Sequence, residues 1–249
     1  MGWKRGYGTN KNDEAKNTTF SEGRIEGMYL DLTDLPQSPK TEEMFKTLQE
    51  LNLEKMILNI DGAGSWNRDT GVIEISRYDF ELEDGATFGM SARISGYTED
   101  VARQFTKALN TMNAEPDENK KNALALQSLA YLAGLSFQRM EFILDDQSLL
   151  NRVVNFQAKK LKQEPEQIKG LVGPMTNIML TPFNIPELAA QASQALGTFM
   201  QGNKKLTVTA EPVNGLAITE IIALSSGLQA GSVTPADFAK RLNVTIATE

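Results

Sequence analysis

Residues 53–97 read LEKMILNIDGAGSWNRDTGVIEISRYDFELEDGATFGMSARISGY, and two turns inside them decide the fold. Asn67-Arg68-Asp69-Thr70-Gly71 has the chemistry of a tight loop. Glu83-Asp84-Gly85 fits a three-residue hairpin loop whose glycine takes the left-handed position. These turns divide the stretch into strands over 53–60, 73–82 and 87–94, predicted as a consecutive antiparallel meander. Side-chain parity then tests the register. Closing the second loop sets Leu82 beside Ala86, Phe80 beside Phe88 and Tyr78 beside Met90. Closing the first sets Ile60 beside Tyr78 and Leu58 beside Phe80. Both hairpins gather large apolar groups on one face, which is expected to be buried. Ile73 and Ile75 have the opposite parity to Tyr78, Phe80 and Leu82, so a β-bulge is expected near Ser76-Arg77.

Upstream, the first two dozen residues are polar and rich in Gly and Asn, and read as a frayed or extended lead-in. RIEGMYLDL (24–32) alternates at Met28, Leu30 and Leu32 as a half-buried strand does, and Pro36-Gln37-Ser38-Pro39 ends it in a turn. Thr41 is placed as the N-cap of a short amphipathic helix carrying Met44, Leu48 and Leu51. Downstream, the spacing predicts a helix over 98–109, a polar connector MNAEPDENKK (112–121), and an Ala/Leu-rich helix over 122–133. A strand follows in LSFQRMEFIL (135–144), where Asp146 or Ser148 caps a helix reaching Lys162. Two more helices are expected over 165–180, broken near Gly173-Pro174, and 186–200; then come a strand over 205–210, two short helices and a last strand over 243–247.

The fold class is therefore α+β, an antiparallel β-meander sheet with one apolar face covered by several helices. It is read as a single domain over 1–249, with possible sub-lobes 24–112 and 118–249 on either side of the connector. A faint internal repeat relates Leu48, Leu51, Leu53, Met56, Leu58, Ile60 and Asp61, at an offset of 84, to Leu132, Leu135, Phe137, Met140, Phe142, Leu144 and Asp145.

Composition bounds the chemistry. With 249 residues, 41% of them apolar and 23% charged, the chain can build a sizeable core. It has 32 acidic against 25 scattered basic residues, a net charge of -7, and thus no phosphate-backbone footprint, so nucleic acid is not an expected partner. The absence of Cys and His removes thiol nucleophiles, disulfides, imidazole bases and every zinc site built on those ligands. No apolar run approaches the roughly 20 residues of a spanning helix, and Met1-Gly2-Trp3-Lys4-Arg5 does not open a signal peptide. The expectation is a processed, exported chain in the periplasm, with the cytoplasm as the alternative.

Few patterns in the sequence point to a specific chemical site. Asp61, Ser65, Asn67 and Asp69 alternate near glycines, but they break the calcium-loop pattern and lack its closing Glu. Asp145-Asp146 follows a strand end, where carboxylates often act, yet Asp before Ser-Leu-Leu is first a helix cap. There is no G-x-S-x-G elbow and no glycine-rich phosphate loop, and the sequons at Asn17 and Asn243 read as chance. No catalytic residue, cofactor or metal is assigned, and the chain is read as not an enzyme. Met44, Met56, Met90, Met140, Met175, Met179 and Met200 either fill the core or line an adaptable groove.

At NRDTGVIEISRYDFELEDGATFGMSARISGY (67–97) and KKLTVTAEP (204–212) the chain resembles AsmA-like and YdgA-like envelope proteins of Gram-negative bacteria. The likeness is a strand-turn-strand rhythm, and it transfers no site residue. It implies a periplasmic setting and a role in envelope upkeep or lipid handling. The many helices of the second half depart from the long β-repeats of those families.

Two functions follow as expectations. One is a non-enzymatic envelope protein holding a lipid or other apolar small molecule on a sheet face formed by Leu58, Ile60, Tyr78, Phe80, Phe88, Met90, Met140 and Phe142. The other is a structural module docking on an envelope protein through an exposed strand edge. A carboxylate-based hydrolase trails both.

Overall fold

In the computed structural model, residues 2, 4–33, 39–202 and 205–249 are described. Among them the sheet comprises β1 (Arg5–Asp13), β2 (Thr18–Asp31), β3 (Lys55–Asn67), β4 (Val72–Leu82), β5 (Ala86–Ser95), β6 (Ser136–Asp146), β7 (Lys205–Ala210), β8 (Leu216–Ala217) and β9 (Val244–Thr248). The strands are antiparallel and lie in the order β1-β2-β3-β4-β5-β6-β7-β9, with β8 added on β6. The α-helices are α1 (Pro39–Glu50), α2 (Glu99–Ala114), α3 (Glu118–Ser128), α4 (Leu149–Leu161), α5 (Pro165–Leu180), α6 (Pro186–Met200), α7 (Ile218–Gln229) and α8 (Pro235–Arg241). The fold is α+β, as the patterning predicts.

The meander forms, and its second hairpin has the expected register: Leu82 pairs with Ala86, Phe80 with Phe88 and Tyr78 with Met90. The bulge falls between Ile75 and Tyr78, which returns Ile73 and Ile75 to the face of the aromatics. The first hairpin is two residues away from the expected register. Ile60 pairs with Phe80 and Leu58 with Leu82, because β3 runs on to close at Asn67–Val72 and the bulge adds one residue to β4. A slip of two keeps every side chain on its face, so the apolar set survives the correction.

The loop at Glu83-Asp84-Gly85 corrects a second expectation: Asp84, not Gly85, is left-handed, with φ 58°. Gly85 is buried, and a Cβ there would lie 2.6 Å from the Leu82 side chain. Its carbonyl accepts the N–H groups of Gln147, Ser148 and Leu149 at 2.9–3.1 Å, so this turn satisfies the start of α4. Asp146 Oδ1 accepts from Leu150 N at 2.8 Å, the capping role expected of it.

The supposed lead-in is a hairpin. β1 and β2 pair from Arg5–Glu26 to Asp13–Thr18, held by Ser21 Oγ donating to Asn10 at 2.7 Å and Thr19 Oγ1 to Asn12 at 2.9 Å. Polar residues on both faces of β1 hide this from hydrophobic periodicity. Of the expected turn at Pro36-Gln37-Ser38-Pro39, the first three residues lie outside the described ones. Pro39 opens α1, so Thr41 is helical rather than a cap. The connector shrinks to residues 115–117, since α2 and α3 extend into it from both sides. The sheet crosses this point unbroken, with β5 paired to β6 from Ala86–Asp146 to Ser95–Ser136.

α5 passes through Gly173-Pro174 without a break. Gly173 serves helix contact instead. A Cβ there would stand 2.9 Å from the Ser193 carbonyl oxygen, and Ser193 Oγ donates to the Gly173 carbonyl at 2.8 Å, so α5 and α6 approach backbone to backbone. The largest group of buried apolar residues is on α6, Ala189, Ala192, Ala195, Phe199 and Met200, joined by Val154 and Ala158 of α4, while Ala86 and Leu216 are buried in the sheet. α6 packs on β9 and β7. In β9, Val244, Ile246 and Thr248 are half-buried while Thr245 and Ala247 are exposed, which fixes the covered face.

Candidate functional site

Directly opposed residues in neighbouring strands share a face, so the register assembles rows across the sheet. One row runs Ile25, Ile60, Phe80, Phe88, Leu144, Leu206 and the next Gly62, Tyr78, Met90, Phe142, Val208, Ile246. Leu58 lies opposite Leu82 at one end, and Met140 opposite Ala92 at the other. All eight residues singled out in the sequence therefore lie on one face. The pattern missed Ile25, Leu144, Leu206, Val208 and Ile246 as members. Ile25 is separated from Met28 by a bulge that reverses its parity. Leu144 continues the alternation of Met140 and Phe142 on β6, and the other three belong to strands whose partners a single-sequence reading does not supply.

This face is not buried, contrary to expectation. Helical cover reaches its β7–β9 end, while Tyr78, Phe80, Phe88 and Phe142 keep 45%, 38%, 48% and 50% of their surfaces exposed. Parity tells which side chains share a face but not what lies over them. The Tyr78 and Phe80 rings are 6.5 Å apart at 50°, and the Tyr78 ring passes within 3.4 Å of where a Cβ at Gly62 would be. The result is an open aromatic and aliphatic surface, free of formal charge in both rows, able to take an apolar molecule laid across the strands.

The opposite face is polar. Arg24 contacts Glu26 at 2.8 Å and Asp61 at 3.5 Å; Arg77 pairs with Asp61 and reaches Asp79 at 3.8 Å; Arg139 contacts Glu141 at 2.6 Å and Glu211 at 3.7 Å. Burial pushes the Asp79 carboxyl up, against the opposing pull of Arg77. These carboxylates are tied to arginines rather than converging on a free space. Of the residues tested as a calcium loop, Asp61 belongs to this network, Asn67 accepts from Thr70 N at 2.8 Å, and Asp69 accepts from Asn17 at 2.7 Å. A cleft of about 880 Å³ has Ser91, Arg93, Gln138 and Arg139 in its wall, but Glu74 and Glu211 line it too. It therefore has no net positive charge to select an anion.

Residues 79–249 match a protein-family model described as "Uncharacterized protein", more than half of the chain. The chain belongs to that family. The match takes in Phe80, Phe88, Met90, Met140 and Phe142 and leaves Leu58, Ile60 and Tyr78 outside it. No curated protein and no solved structure matches the chain. No helix among the described residues is long and apolar enough to cross a membrane.

Proposed function

We propose that the chain is a non-enzymatic protein of the bacterial envelope that holds a lipid or other apolar molecule against the open face of its sheet. One observation carries this reading: Tyr78, Phe80, Phe88 and Phe142 lie together on one face and are each 38–50% exposed. Exposed contiguous apolar area costs free energy in water, and rows crossing several strands form a surface long enough for an acyl chain. The periplasmic setting rests on the resemblance to envelope proteins and on the missing cysteines. The polar face supports a surface that stays hydrated while the other is covered.

A second reading has its own observation. β1 is a sheet edge of nine residues, all but Asp13 exposed, with Gly6 and Gly8 leaving its backbone accessible, a form suited to strand addition by a partner.

Native mass spectrometry of protein purified from its own host separates the two. A co-purifying lipid in the expected reading leaves the Phe88→Glu variant free of added mass, whereas a co-purifying polypeptide that survives this substitution favours the edge.

A further inference from the structure

Residues 170–186, GLVGPMTNIMLTPFNIP, contain no charged residue. They make up the later part of α5, a 3-10 turn (Thr181–Phe183) and the entry to α6. The inner side of α5 packs on α6 through buried Gly173 and half-buried Val172, Thr176 and Leu180. Its outer side carries Leu171, Met175 and Ile178, spaced i, i+4, i+7, and Met179 beside them, with Phe183 in the turn beyond; all are exposed, Ile178 and Met179 at 70% and 69%. Such a stripe names no partner by itself, but its charge setting does. Residues 149–186 hold five basic side chains (Arg152, Lys159, Lys160, Lys162 and Lys169) against Glu164 and Glu166, a net +3. The rest of the chain holds 20 basic and 30 acidic residues, a net -10.

One hairpin of an acidic protein is thus both basic and apolar. Lys159 is 3.3 Å from Glu50 and Lys169 is 3.0 Å from Glu166, while Lys160, over the Phe156 ring at 6.0 Å, and Lys162 at the elbow have no acidic partner among the described residues. The 16 residues of α5 extend about 24 Å, with the lysines at one end and Ile178, Met179 and Phe183 at the other. Leu161 at the elbow is also exposed, and Leu171 and Met175 carry the stripe along α5. A surface complementary to the whole length is negative on top and hydrocarbon beneath.

We propose that the α4–α5 hairpin docks this chain on an anionic lipid bilayer, with α5 lying along the surface. Ile178, Met179 and Phe183 enter the boundary between headgroups and acyl chains, and Lys160 and Lys162 meet lipid phosphates. The docking face is separate from the sheet rows, and its test reads the two apart.

The test is sedimentation of the full chain with vesicles of phosphatidylcholine alone, and of phosphatidylcholine with roughly a third phosphatidylglycerol. The expected result is binding to the anionic vesicles that falls on raising salt. It drops by on the order of tenfold in Ile178→Glu/Met179→Glu and in Lys160→Glu/Lys162→Glu, and is retained in Phe88→Glu. Ile178 and Met179 are already exposed, so the variant should keep the wild-type unfolding midpoint. Three results overturn the proposal: no binding to either vesicle, binding unchanged by the Ile178→Glu/Met179→Glu pair, or light scattering that shows a wild-type dimer dissociated by that pair, which assigns the stripe to a second copy.

Discussion

Phe80 and Phe88 stand directly opposite each other on β4 and β5, yet 38% and 48% of their surfaces remain open to solvent. Two rings so placed contribute less to stability than their size suggests, because much of each gains nothing on folding. Phe88→Ala is expected to cost about 1–1.5 kcal/mol. Phe199→Ala, at a side chain only 2% exposed, is expected to cost about 3–5 kcal/mol. Urea midpoints of the two variants check this. Equal losses would mean that the sheet face is covered in solution.

Gly173 and Ser193 form the second point of leverage. A methyl group at Gly173 meets the Ser193 carbonyl at 2.9 Å, so Gly173→Ala must separate two helices that otherwise bury α6. A loss of about 1–3 kcal/mol is expected. Ser193→Ala removes only the hydroxyl donating to the Gly173 carbonyl at 2.8 Å, at about 1 kcal/mol. Thermal unfolding should rank them in that order, and the reverse order would mean that the hydrogen bond, not the close approach, dominates.

Asp31 sets a pH dependence. The Thr33 hydroxyl and backbone N–H, donating to Asp31 at 2.5 and 3.0 Å, hold its carboxyl down at about 2 from an ordinary 3.8. A depressed folded value means that the unfolded chain takes up the proton first. The stabilisation is therefore present above about pH 3.8 and is lost as pH falls through about 2. Asp31→Asn should flatten that segment of the stability curve while leaving the neutral-pH slope alone. Unfolding midpoints at intervals from pH 5 to 2 measure it, and an unchanged acid slope in the variant would contradict the assignment.

What the sequence made legible follows from what each signal encodes. Phe80 beside Phe88 and the bulge at Ser76 follow from parity and turn length, both local. The β1–β2 hairpin was illegible because Asn10, Asn12, Thr19 and Ser21 pair through hydroxyls and amides that carry no apolar period. The first hairpin's register depended on β3 continuing through Gly62, Ala63, Gly64 and Ser65 to Asn67, a run of small residues that marks no alternation. The eight candidate residues were found because alternation reports facing. Their exposure was missed because cover is a tertiary property, and among the strands α6 packs chiefly on β9 and β7. The exposed side of α5 was hidden in the same way: its apolar spacing reads as core until α6 is seen to occupy only the opposite side.

Titration of the purified chain with an apolar fluorescent probe such as N-phenyl-1-naphthylamine, for wild type and for Phe88→Glu and Phe142→Glu, tests the ligand-holding sheet face most directly. Both phenylalanines are about half exposed, so the variants should fold, while a charge set in the middle of the rows should exclude an apolar guest. The expected result is saturable binding by the wild type and its loss in both variants at unchanged unfolding midpoints. Equal binding by all three proteins, or none by the wild type, would contradict it.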